Sequence, residues 1–92
     1  MYARVVTFEG ATGIDETAKS IQDGGRPEGV PATAFYLLAD REAGKVVAIT
    51  LFATEEDMTT GNATLDKMNP PGGGFGSRTS VELMEVVAHM SD

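Results

Sequence analysis

Two apolar runs, Phe35–Ala39 and Val46–Ala53, flank the segment Asp40-Arg41-Glu42-Ala43-Gly44-Lys45. Gly44 supplies the left-handed residue that closes a type I turn with a bulge, so the whole segment is predicted to be a β-hairpin. Side chains alternate across a strand. Phe35 and Leu37 therefore oppose Tyr36 and Leu38, and Val46, Ala48 and Phe52 oppose Val47, Ile49 and Leu51. Both faces of the hairpin are apolar, and a sheet built on it needs cover on each side.

The same reading extends along the chain. Tyr2–Glu9 is a strand rich in β-branched and aromatic residues, with Tyr2, Arg4, Val6 and Phe8 on one face and Ala3, Val5 and Thr7 on the other. After the Gly10–Gly13 turn, Thr12 is the expected cap of a helix whose Asp15 and Glu16 suit the positive end of the dipole, and Ile14, Ala18 and Ile21 recur at helical spacing. The Gly- and Pro-rich stretch from Asp23 to Pro31 ends it. Thr54-Glu55-Glu56-Asp57 resembles a capping box and opens a second helix, with Met58, Leu65 and Met68 on its inner face and Gly61 and Asn62 between them. That helix stops before Pro70-Pro71. The last segment, Arg78–Met90, reads as a strand in which Val81, Leu83 and Val87 alternate with Glu82, Met84 and Val86.

The predicted order is β-α-β-β-α-β, a ferredoxin-like α+β fold with both helices on one face of a four-stranded antiparallel sheet. The 92 residues make one domain. The uncovered face carries apolar side chains from every strand, and a two-fold homodimer packing these faces together is the economical cover. Burying about 600 Å² of apolar surface per protomer contributes roughly 15 kcal/mol before association costs, so no stable monomer is expected.

Composition narrows the partners. Seven basic and fourteen acidic residues give a net charge of −7, which repels phosphate backbones and anionic lipid, so neither nucleic acid nor a membrane is an expected partner. With no cysteine and a single histidine, neither a disulfide framework nor a protein-built zinc site is expected. Glu55, Glu56 and Asp57 read as a cap and solvated face rather than a metal cluster. The glycine run before Ser77 lacks the Gly-Lys-Ser/Thr of a phosphate cradle. The chain opens directly into a strand and has no apolar run of membrane-spanning length, so a soluble cytoplasmic protein is expected, with no cofactor and no metal.

The segments MYARVVTFEG, YLLADREAGK and AITLFATEEDM resemble, in matching order and over most of the chain, uncharacterised bacterial members of the antibiotic biosynthesis monooxygenase-like family, within the dimeric α+β barrel superfamily. The superfamily includes cofactor-free oxygenases of polycyclic phenols, haem-degrading enzymes, isomerases and members without known activity. In the oxygenases the pocket lies between the sheet and the helices of one protomer. Phe52 stands where the family usually has tryptophan. The haem-degrading members also use an asparagine on the first strand and a helical histidine. Here the first strand offers Thr7, and the histidine is His89 near the C-terminus, so haem is a poor substrate. The glycine-rich exit from the first helix implies a smaller or more open pocket.

Two functions follow. In the first, the homodimer holds a small apolar ligand in a pocket lined by Phe52, Met58, Asn62, Leu65, Met68 and Phe75. In the second, a cofactor-independent monooxygenase acts on a phenolic or polycyclic aromatic. There Tyr36 or His89 manages the proton, and Arg4 or Asn62 steadies the substrate anion. That mechanism requires Tyr36, Arg4 and His89 to converge. Bland roles compete: His89 at a strand end or dimer rim, Tyr36 and Arg4 as sheet-edge residues, and Asn69 as turn chemistry. A purely structural dimer is a further reading.

Overall fold

The apolar alternation of Tyr2–Glu9 suits a strand with neighbours on both sides, and in the computed structural model, which describes residues 1–25, 28–67 and 75–90, it lies inside the sheet. The elements are β1 (Tyr2–Glu9), α1 (Ile14–Gly24), β2 (Ala34–Asp40), β3 (Lys45–Phe52), α2 (Glu55–Leu65) and β4 (Ser77–Glu85). The four strands run antiparallel in the order β2-β3-β1-β4, a ferredoxin-like α+β fold. Met68 and Asn69 lie outside the described residues.

Local chemistry explains most boundaries. Gly44 has φ +65°, as the hairpin requires, and its carbonyl accepts from the Ala11 N–H at 2.9 Å. Thr54 caps α2, its hydroxyl oxygen accepting from the Asp57 N–H at 3.1 Å. Thr12 does not cap α1. The N-cap is Gly13, with no side-chain bond, and Asp15 in the first turn is instead gripped by both terminal nitrogens of Arg41 from the hairpin turn, at 2.7 and 3.1 Å. β4 ends at Glu85 rather than continuing to Met90, because the register with β1 runs out at Tyr2↔Glu85, leaving Val87 and Met90 exposed.

Register sorts the side chains into two faces. Across the helix side run the rows Phe35-Thr50-Arg4-Leu83 and Leu37-Ala48-Val6-Val81. The other face carries Tyr36, Leu38, Val47, Ile49, Leu51, Val5 and Met84. One core cluster joins Val6, Phe8, Val46 and Phe75, with the Phe8 and Phe75 rings 5.4 Å apart; a second joins Val30, Phe52 and Met58 beneath α2.

Helix α2 sits down close on the sheet because Gly61 faces Phe52, which is fully buried: a β-carbon at position 61 would collide with the Phe52 ring. Gly61→Ala gains about 1 kcal/mol of helix propensity. Overpacking costs about 1–3 kcal/mol, and a ring with no free space cannot relax to avoid it. The expected outcome is net destabilisation, read as a lower urea midpoint at unchanged slope and relieved by pairing the change with Phe52→Leu.

The Arg41 contact holds the Asp15 carboxyl below its ordinary pKa, chiefly through the hydrogen bond and then through charge attraction. A depressed carboxylate contributes stability above its unfolded pKa and loses it as pH falls through the folded one. Both side chains are exposed, so the contribution is small and salt-sensitive. Arg41→Gln should return the Asp15 pKa to its ordinary value in a carboxyl NMR titration and leave stability unchanged in strong acid.

Candidate functional site

The centre of the helix-side face is built from short side chains. Ala48 and Thr50 on β3 stand between the larger Leu37 and Phe35 of β2 and the Val6 and Arg4 of β1. Above them α2 approaches β1 and β3 closely, whereas α1 comes as close to no strand. The result is a cleft of about 1130 Å³ between α1 and the sheet. Its walls include Ala18 and Ile21 of α1, Val30 and Ala32 of the crossing loop, and Leu65, Phe75 and the apolar rows of the sheet.

Arg4 is the unusual member of this wall. It is only 6% exposed, on a central strand between Thr50 and Leu83, where apolar side chains are the rule. Its Nε–H donates to the Asn62 Oδ1 at 2.9 Å. Asn62 reaches it because the neighbouring Gly61 lets α2 press onto Phe52. Burial, and then the charge of Arg78, pull the Arg4 pKa below its usual value, while Asp66 opposes them. A guanidinium remains a cation at neutral pH despite that pull.

Arg78 joins the site through a β-bulge. On β4, Ser80 pairs with Thr7 but Arg78 pairs with Phe8, so Thr79 is an extra residue, and its hydroxyl donates to the Thr7 carbonyl at 3.3 Å. Simple alternation would place Arg78 with Ser80 and Glu82 on the far face. The bulge turns it onto the helix side, where it lines the cleft and pairs with Asp66 at 3.2 Å. Its recruitment was not legible from the sequence pattern, because residues 77–80 are all polar and offer no apolar alternation whose change of phase would reveal the inserted residue.

The structure separates the three residues of the oxygenase mechanism. Arg4 lines the cleft, whereas Tyr36 lies on the opposite face, 53% exposed. His89 follows the end of β4, exposed and away from the cleft wall. Of the expected lining residues, Leu65 and Phe75 border the cleft, and Asn62 acts through Arg4. Phe52 and Met58 belong to the core under α2 instead, because that end of the sheet is where the helix packs down. Met68 lies outside the described residues.

No group of three or more metal-ligating side chains gathers among the described residues. No helix among them is long and apolar enough to cross a membrane. No family model, curated protein or solved structure matches the chain. The chemistry of the site therefore rests on its own geometry.

Substitutions at Asn62 read the state of Arg4. Asn62→Ala removes the acceptor from a buried donor and should cost about 1–3 kcal/mol in urea unfolding. Asn62→Asp sets a carboxylate on the same nitrogen and should stabilise the fold at neutral pH. The introduced carboxyl is held below its unfolded pKa, so the gain is present above about pH 4 and disappears as pH falls through the folded value.

Proposed function

We propose that this chain is a homodimeric cytoplasmic binding protein for a small, largely apolar molecule, akin to the antibiotic biosynthesis monooxygenase-like proteins of the dimeric α+β barrel superfamily. The observation that carries the reading is the cleft: mostly apolar walls, a floor kept open by Ala48 and Thr50, and a few polar side chains, chief among them the buried Arg4 and Arg78 beside it. Such a cavity, mostly apolar with few polar groups to fix orientation, is the usual form of a small-molecule site. Among the described lining residues none is an acid, a histidine or a tyrosine, which supports binding over chemistry that moves a proton. The kinship is supported by the three resembling segments, and the ferredoxin-like strand order is compatible with it.

The homodimer is supported by the sheet's other face. Tyr36, Leu38 and Met84 are 53, 51 and 44% exposed there, beside Val47, Ile49 and Leu51 of the inner strand. This apolar surface includes side chains from every strand, larger than the scattered exposed residues a monomer tolerates. Covering about 600 Å² of it on each protomer, about 1200 Å² in the dimer, supplies roughly 30 kcal/mol against association costs of about 4–15 kcal/mol and the ordering of interface side chains. A second copy is self-complementary for such a face.

Native mass spectrometry of protein purified from cells tests both parts. The expected spectrum is a dimer carrying an organic adduct, with the adduct lost in Ala48→Phe and the dimer lost in Ile49→Lys. A monomer at micromolar concentration contradicts the dimer. An adduct retained by Ala48→Phe contradicts the cleft as its site.

A further inference from the structure

Arg4 is a buried cation with no carboxylate in direct contact among the described residues; Asp66 acts on it only from beyond pairing distance. The ion pairs among the described residues are Arg41 with Asp15 and Arg78 with Asp66, and no described carboxylate comes within pairing distance of Arg4. Its hydrogen-bond partner, Asn62, is neutral. Buried charges are ordinarily paired, because removing an ion from water is costly unless an opposite charge replaces the lost solvation. Here the guanidinium faces a cleft large enough for a ligand, and a second guanidinium, Arg78, lies near enough for the two to repel.

The geometry points to an organic monoanion as the ligand: an apolar, ring-sized body lying against Val6, Leu37, Ala48 and Ile21, with a carboxylate held by Arg4 and Arg78. This rests on the cleft being the ligand site. Two guanidiniums less the Asp66 carboxylate leave one net positive charge, matched by a single negative charge on the ligand. A guanidinium presents its donors as a fork that fits the two oxygens of a carboxylate. A bare phosphate suits the site poorly, since apart from Gln22, Thr33 and Thr50 the remaining lining side chains are apolar, and the molecule as a whole carries a charge of −7. Asp66 acts as a placeholder. Its bond to Arg78 is partly exposed, with the two side chains 56 and 38% accessible, and an incoming carboxylate competes with it for that guanidinium.

A matched pair of fluorescent probes tests the charge apart from the cleft. 1-Anilinonaphthalene-8-sulfonate has an apolar body with one anionic group, and N-phenyl-1-naphthylamine is the same ring system without it. Wild-type protein should bind the anionic dye more tightly. Asp66→Asn, an exposed change that leaves the core alone, should tighten the anionic dye by about fivefold, the effect of one nearby unit charge at a partly solvated site. Arg78→Gln frees Asp66 to neutralise Arg4 and should weaken the anionic dye by about tenfold, as should Arg4→Gln where it folds. The neutral dye should change less than about twofold in all three. If Asp66→Asn and Arg78→Gln leave the anionic dye unchanged, or move both dyes together, the anion site is wrong. If Ala48→Phe leaves both dyes bound as in the wild type, or the wild type binds neither, the cleft itself is not the ligand site and the underlying reading fails.

Discussion

The hydrogen bond from Arg4 to Asn62 is the contact on which the site depends. It holds a charged side chain on a central strand, in a position that alternation otherwise reserves for hydrocarbon. The bond exists only because α2 comes close to the sheet, and α2 comes close only because residue 61 has no side chain where the Phe52 ring stands. Core packing and site chemistry are thus one arrangement. The ring that fills the second core cluster also sets the height from which Asn62 reaches down.

The same sheet serves two different surroundings. On the helix side, short residues in β3 and the stand-off of α1 leave a cleft beside a dense core built on Phe8, Val46 and Phe75. On the other side the strands present a broad apolar surface with Tyr36 and Leu38 at one edge and Met84 near the other. Strand parity separates the two, and one inserted residue at Thr79 moves Arg78 from one surrounding to the other. A bulge that re-aims a side chain is a cheap change for a sheet, since it disturbs one rung of a ladder and leaves the rest paired.

Much of this fold was legible in the sequence, for identifiable reasons. The hairpin announced itself through a glycine after a polar turn between apolar runs, and Gly44 adopts the positive φ that the reading requires. The α2 cap was legible because Thr54 and Asp57 stand at the right separation. Thr12 misled because it stands one position before the N-cap, Gly13, which makes no side-chain capping bond. The site was less legible. Alternation places Arg4 and Tyr36 on opposite faces only once the register between β1, β3 and β2 is known, and that depends on pairing between distant segments. Phe52 and Met58 looked like lining for the same reason that core residues always do, and only the position of α2 decides between the two roles.

The division of the sheet between ligand and partner copy is the central claim, and methyl NMR tests it most directly. With alanine, isoleucine, leucine and valine methyls labelled, 2-naphthoate is titrated into the protein at constant concentration. The expected result is movement of the Val6, Leu37, Ala48 and Leu65 resonances while those of Leu38, Val47, Ile49 and Leu51 stay fixed. Movement confined to the second group would place the ligand on the open face and contradict the account.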